Sequence, residues 1–127
     1  MRNILLVEGK GRTKILLNAR FVGNDLLINI SNKNAHIGAV AIGEYDPTSR
    51  RTSTSVFTRI GHKDDAVAQK AAYLISRLTK STVCVIGGIH IPDITTKEIE
   101  IILRNTDNLV GKFCKYLETM VMSEIRG

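Results

Sequence analysis

The sequence has no tryptophan, and aromatic residues make up only 5% of its 127 residues. No basic run is interleaved with aromatic rings, so the chain lacks the stacking side chains used to bind single-stranded nucleic acid. No apolar run approaches the roughly 20 residues that cross a bilayer, and Ile4–Val7 is too short for a secretory signal. We therefore expect a cytoplasmic protein with no membrane partner, and nucleic-acid binding is a weaker alternative.

Cysteine is also scarce, with Cys84 and Cys114 far apart in the chain. Cys84 lies in a β-branched, strand-like segment, and Cys114 lies on an apolar helical stripe. Free cysteine behaves as a small hydrophobe, and disulfides are rare in a reducing compartment. We predict two core thiols, not a disulfide or a metal-binding pair.

Catalytic motifs are absent too. There is no nucleophilic serine elbow, and Glu44 and Asp46 alternate across a strand or turn, which does not make an acid–base pair. Gly9–Gly11 resembles the opening of a phosphate loop, but the third glycine, the lysine–threonine ending and the helix that should follow are missing. The sequence thus favours a protein that is not an enzyme.

Positive charge is what the chain has in excess, with a formal net charge of +6. Much of the excess lies near the start of the chain, in Arg2, Lys10, Arg12, Lys14 and Arg20. A functional interpretation is an anionic partner, which means a phosphorylated ligand, nucleic acid or an acidic protein surface. For most of these side chains, a solvated surface is the commoner reason.

The apolar periodicity predicts an α+β fold: a mixed, mainly antiparallel sheet of about six strands with two helices packed on it. We expect one domain over residues 1–127. The predicted strands are Asn3–Val7, Thr13–Val22, Leu26–Ile30, Ala35–Tyr45, Thr52–Ile60 and Thr82–Ile86.

Two amphipathic helices are predicted. The first covers Asp64–Lys80, with a core stripe that includes Leu78. The second starts at a capping box formed by Thr95 and Glu98. Its stripe runs through Ile99 and Leu103 to Val121, and the weak helix formers at Asn105–Asn108 and Gly111 allow a bend.

The stretch Thr52–Asp93 organises the functional prediction. His62 and His90 each follow a strand, stand next to glycine and precede a helix. A strand–helix–strand unit normally returns parallel, so both strand exits should share one edge of the sheet. Helix starts offer backbone N–H groups to a phosphate. The sequence alone does not show whether His36 lies at the same end.

These histidines admit several interpretations. Imidazoles bind phosphate as cations or a divalent metal as neutral ligands. A metal held by His62 and His90 is the weaker version, because so few ligands with no fixed spacing are present. A purely structural role at the helix starts is an equally open alternative.

Three segments carry a resemblance to a known family. They are Ala35–Ala41 (Ala-His-Ile-Gly-Ala-Val-Ala), Gly61–Asp65 (Gly-His-Lys-Asp-Asp) and Gly88–Ile91 (Gly-Ile-His-Ile), the last followed by Asp93-x-Thr95. In order and spacing, the chain from about Arg12 to Leu117 resembles the LpdD-like accessory proteins of gallate decarboxylase, a prenylated-flavin chaperone family. Proteasome assembly chaperones are a more distant likeness, because they share the order of elements without the histidines.

The resemblance implies a non-catalytic chaperone that binds prenylated FMN and delivers it to a decarboxylase apoenzyme of the UbiD type. We also expect a homo-oligomer. The alternative is a protein-assembly chaperone with no small ligand. Pro92 departs from the family pattern and removes a backbone N–H. The predicted cofactor-binding residues are His36, Gly38, Thr54, Gly61, His62, Lys63, Gly88 and His90.

Overall fold

A computed structural model describes residues 3–59 and 65–126, with side chains through residue 120. A short 3-10 helix, Gly11–Thr13, stands between the first two strands. The strands and helices are β1 (Asn3–Glu8), β2 (Ile15–Val22), β3 (Asp25–Ser31), β4 (Ala39–Asp46), β5 (Arg51–Thr58), α1 (Asp65–Thr79), β6 (Val83–Gly88) and α2 (Thr96–Arg126).

The six strands form one sheet in the order β1-β2-β3-β6-β4-β5. β1, β2 and β3 are an antiparallel meander, in which Gly23 takes a positive φ of 63° at the β2–β3 turn. β6 lies between β3 and β4, parallel to β3 and antiparallel to β4. The predicted α+β fold with a mixed, mainly antiparallel sheet is therefore confirmed.

The two strand exits of the functional prediction share one edge of the sheet. β5 and β6 are both antiparallel to β4, so they run parallel to each other with β4 between them. β3 is parallel to β6 and ends at the same edge, where Ser31 pairs with Gly88. The carboxyl ends of three strands thus meet there, as the strand–helix–strand rule predicts.

Both helices pack on one face of the sheet. α1 lies on β4, β5 and β6, whereas α2 lies on β1 and β2. Alternate residues point to this face because side chains switch sides at each position of a strand. The fully buried side chains include Ile15, Leu17, Ile28, Ile30, Ile75, Val83, Val85, Leu109 and Phe113.

The opposite face of the sheet has no helix on it in the described part of the chain. It carries several exposed apolar side chains, among them Leu5, Ile42 and Phe57, and Phe57 is 74% exposed. Cys84 also lies on this open face and is only half-buried. The prediction of a core thiol is right for Cys114 and wrong for Cys84, because the register turns the Cys84 side chain away from the helices.

Three predicted details need correction. Ala35–Gly38 is a loop, and β4 starts only at Ala39. Leu78 on α1 is exposed, and so are Ile99 and Leu103 on α2. The apolar sequence pattern therefore extends beyond the residues that the strand and the helices bury.

α2 has 31 residues and continues through the segment where a bend was allowed. Asn105 is buried there and its side-chain amide donates to the Thr13 carbonyl at 3.0 Å. No helix within the described ranges is long and apolar enough to cross a membrane.

The start of α2 is fixed by the predicted capping box. The Thr95 N–H donates to the Glu98 carboxylate at 3.0 Å, and the Glu98 N–H donates to the Thr95 hydroxyl at 3.1 Å. Arg12 reaches the same carboxylate through Nε at 2.8 Å and donates to the Pro92 carbonyl at 2.6 Å. This ties the 3-10 helix to the start of α2.

We predict that Gly43→Ala lowers the free energy of unfolding by about 1–3 kcal/mol, as overpacking in a core does. A Cβ at Gly43 would overlap the Ala72 carbonyl of α1 and crowd Ser76. The matched control is Gly111→Ala, where a Cβ meets no atom within 4 Å and better helix propensity adds up to about 1 kcal/mol. Urea unfolding measures both, and equal stability of the two variants would contradict this account.

We also predict an acid-sensitive contribution from Glu98. Its hydrogen bonds from Arg12 and from the Thr95 N–H lower its pKa from 4.5 to about 2. Because this pKa is below its ordinary value, the ionised carboxylate stabilises the fold above about pH 4.5, and that contribution is lost as the pH falls toward 2.

Urea midpoints of the wild type and of Glu98→Gln should therefore differ most at pH 6 and converge between pH 4.5 and 2. Glu100→Gln, which removes an exposed carboxylate near the same helix start, controls for the loss of one charge. A gap between the wild type and Glu98→Gln that does not change with pH would disprove the role of the ion pair.

Candidate functional site

The loop between β3 and β4 brings His36 to the shared edge of the sheet. Because β6 lies between these two strands, residues 32–38 must cross the carboxyl end of β6. The His36 and His90 rings stand there with centroids 5.6 Å apart and planes tilted by 35°. The structure thus answers the question that the sequence left open about His36.

Asn32 connects the β3–β4 loop, which carries His36, to the backbone of His90. Its side-chain amide donates to the His90 carbonyl at 2.7 Å, and its side-chain oxygen accepts the His90 N–H at 3.0 Å. One side chain therefore satisfies both backbone groups of His90 and fixes the chain that carries its imidazole.

The far end of the loop is fixed by backbone contacts. The Gly38 N–H donates to the Gly87 carbonyl at 2.8 Å, and the Arg59 N–H donates to the Gly38 carbonyl at 2.9 Å. The Arg59 guanidinium also donates to the Ile37 carbonyl at 2.8 Å. Gly38, predicted as a cofactor contact, therefore anchors the loop.

Gly88 lies directly under the loop. A Cβ at this position would overlap the His36 carbonyl oxygen, so only glycine permits the close approach of the two backbones. Gly88 is predicted from the sequence to contact a ligand, and it does line a cleft at this edge. Its immediate neighbour, however, is the His36 backbone.

A cleft of about 1350 Å³ opens at this edge, on the face of the sheet opposite the helices. Leu16, Asn29 and Ile86 form its floor on β2, β3 and β6, and the loop of residues 32–37 lines it from one side. Gly11, Arg12, Lys14, Ile91 and Pro92 complete the lining.

The charged side chains in the described lining of the cleft are basic. Arg12, Lys14 and Lys33 line it together with the two imidazoles, and no aspartate or glutamate among the described residues does so. Arg12 is already paired with Glu98. The side chains of Lys14 and Lys33 have no hydrogen-bond or ion-pair partner in the part of the chain that the structure describes.

The places of Asn32, Lys14 and Lys33 at this edge were not predicted from the sequence. Lys14 counted only toward the basic excess near the start of the chain, and no role was predicted for Lys33. Both lysines lie just outside the paired ends of β2 and β3, and this shared position can be recognised only when the strand pairing is known.

The start of α2 does not line the cleft, so its N–H groups are not offered to a ligand there as expected from the sequence. The His90 N–H is bonded to Asn32, the N–H groups of Thr95 and Glu98 are used in the capping box, and Pro92 has none. A ligand at this side of the cleft therefore meets side chains and not a helix N-terminus.

Other predicted residues are not brought to this cleft. Thr54 pairs with Gly43, well away from the edge at Thr58 and Ala39. It lies on the face that α1 covers, and its hydroxyl accepts a hydrogen bond from Gln69 at 3.3 Å. Gly61, His62 and Lys63 lie outside the described residues.

A metal centre has no assembled ligand set in the described ranges. No group of three His, Cys, Asp or Glu side chains there is placed to hold an ion. His36 and His90 supply two imidazoles, and His62 lies outside these ranges. The metal site at His62 and His90 stays a prediction.

Comparison with known proteins bears on the fold and the family of the chain. Among solved structures, the chain is similar to a chaperone complex for yeast 20S proteasome assembly, with a TM-score of 0.61, 14% identity, 93% of this chain covered and 95% of the other. At this identity the likeness shows the fold alone. No curated protein matches in a sequence search. The family model of the prenylated flavin chaperone LpdD-like domain matches residues 9–118. The chain therefore belongs to the LpdD-like prenylated flavin chaperone family.

Proposed function

We propose that this protein binds prenylated FMN in the cleft between the β3–β4 loop and the 3-10 helix, and delivers it to a decarboxylase of the UbiD type. The observation that carries the proposal is a cleft with Leu16 and Ile86 on its floor, cationic walls and no acidic side chain in its described lining. The protein itself performs no catalysis on the ligand.

The residues present fit such a cofactor. Its fused rings are flat, and Leu16 and Ile86 present apolar side chains to them from one face of the sheet. Its phosphate is anionic, and Lys14 and Lys33 supply positive charge beside that floor. A volume of about 1350 Å³ exceeds the roughly 300–1000 Å³ of drug-sized pockets, which leaves room for a large ligand.

The fold brings the imidazoles of His36 and His90 together, with ring centroids 5.6 Å apart. The backbone of His90 is held by Asn32, so its side chain is what remains for a ligand. Ring N–H groups donate hydrogen bonds, and ring faces stack on flat rings. We assign both histidines to ligand binding, together with Gly88 below them.

Delivery requires a partner to reach the cleft, and the open face of the sheet provides the approach. Ile86 on the cleft floor pairs with Val40, which pairs with Phe57 on the edge strand. This row of apolar side chains leads from the cleft to Phe57, which is 74% exposed. We assign this row to contact with the decarboxylase. Self-association of the chain remains a prediction.

Binding is tested by titrating the purified protein with prenylated FMN and following flavin absorbance and fluorescence. His36→Ala combined with His90→Ala should weaken binding about tenfold, because each variant removes a hydrogen bond or ring contact to the ligand worth about 0.5–1.5 kcal/mol. We expect His62→Ala to weaken it too.

The matched control is Thr54→Ala, which removes a predicted residue that lies under α1 and should leave the affinity unchanged. Unaltered affinity in the double histidine variant would show that the imidazoles do not bind the ligand. Failure of the wild type to bind prenylated FMN would overturn the proposed function.

Transfer is tested separately with Phe57→Ser, since Ser53 and Ser55 already stand on the same face of β5. This variant should bind prenylated FMN as the wild type does but activate a decarboxylase apoenzyme several-fold more slowly, because its apolar contact is lost. Activation at the wild-type rate would exclude this row from the docking surface.

The alternative function is assembly of proteasome-like particles without a small ligand, favoured by the fold shared with the yeast assembly chaperone complex. Affinity capture decides between the two. Recovery of proteasome subunits with no decarboxylase, together with no flavin binding, would replace our proposal with this one.

A further inference from the structure

Two lysines line the cleft beside the β2–β3 pair. β2 and β3 pair antiparallel with Leu16 opposite Ser31 at this end. Lys14 comes two residues before Leu16, and Lys33 comes two residues after Ser31, in the turn that the Ala35 N–H closes on the Asn32 carbonyl. Both ends therefore bring an ammonium group to the same cleft.

Two positive charges in one cleft repel each other, and an anion bound beside both would remove that repulsion. Three other cations among the described residues are already paired with carboxylates: Arg12 with Glu98, Lys70 with Asp107 and Lys112 with Glu8. Lys14 and Lys33 have no such partner in the described ranges, and no acidic residue there lines the cleft beside them.

We infer that Lys14 and Lys33 together bind the phosphate monoester of the cleft's ligand and make the cleft selective for phosphorylated over dephosphorylated flavin. This inference rests on the proposed function and adds the selectivity. A phosphate monoester carries a charge of about −1.5 to −2 near neutral pH, which two ammonium groups match.

The assignment also orients the ligand. With its phosphate between the lysines at the β2–β3 end, the flat rings lie over Leu16 and Ile86 toward β6. His36 and His90 then stand beside the rings, at the carboxyl end of β6. Phosphate binding was one of the interpretations open for the imidazoles from the sequence, and the two lysines take that role here.

The test compares two ligands that differ only in the phosphate: prenylated FMN, and prenylated riboflavin made from it with a phosphatase. The wild type should prefer prenylated FMN. Lys14→Met combined with Lys33→Met should reduce that preference about tenfold, since each charge-assisted contact at an exposed site contributes about 1 kcal/mol or less. Its affinity for prenylated riboflavin should be unchanged.

Two controls separate direct contact from general charge. Lys10→Met with Lys115→Met removes the same charge from exposed residues that do not line the cleft, and it should keep the wild-type preference. Lys14→Arg with Lys33→Arg should also keep it. Thermal unfolding checks the fold, and the double methionine variant should be no less stable than the wild type, because a repulsion has been removed.

The outcomes distinguish the two claims. If the wild type binds prenylated FMN and the double methionine variant keeps the full preference, the lysine assignment is wrong and the proposed function stands. An equal loss in the control pair would replace direct contact with long-range attraction. If the wild type binds neither ligand, the proposed function fails and this inference fails with it.

Discussion

The position of β6 between β3 and β4 is the constraint on which the site depends. These two strands are consecutive in the chain, but β6 separates them in the sheet. The connection between them must therefore cross the carboxyl end of β6, which places His36 over Gly88 and beside His90. Hydrogen bonds from Asn32, Gly38 and Arg59 then hold that crossing in place. The site is thus a consequence of strand order, fixed by a few polar contacts.

The helices set the chemistry of the two faces of the sheet. α1 and α2 bury one face, where small residues such as Gly43 let α1 approach the strand. The other face stays open and supplies a floor that includes apolar side chains, with lysines beside it. An open face costs hydrophobic burial, and the proposed binding and delivery of a flat cofactor would make use of this exposure.

The polar contacts of the cleft divide into those that build it and those that remain for a ligand. Asn32, Arg12 and the capping box of α2 are fully engaged with the protein itself. Lys14 and Lys33 are the charged side chains of the lining that have no such engagement in the described ranges. Arg12 and Asn32 therefore build the walls of the cleft, whereas the proposed ligand contacts involve the two lysines together with the imidazoles.

The sequence by itself determined the fold class, the capping box at Thr95 and Glu98, and the shared edge of the β5 and β6 exits. These depend on periodicity, local hydrogen bonding and the handedness of chain connections, which are properties of neighbouring residues. Short segments such as Ala35–Ala41 also identified the family. Only the tertiary structure decided which face of the sheet stays open, and with it the exposure of Cys84.

Tertiary structure likewise decided that His36 meets His90, that Thr54 lies away from them under α1, and that Lys14 and Lys33 line one cleft. These relations join residues far apart in the chain through the order and pairing of strands. No local pattern encodes them, because hydrophobic alternation predicts that a strand exists but not which strand lies beside it.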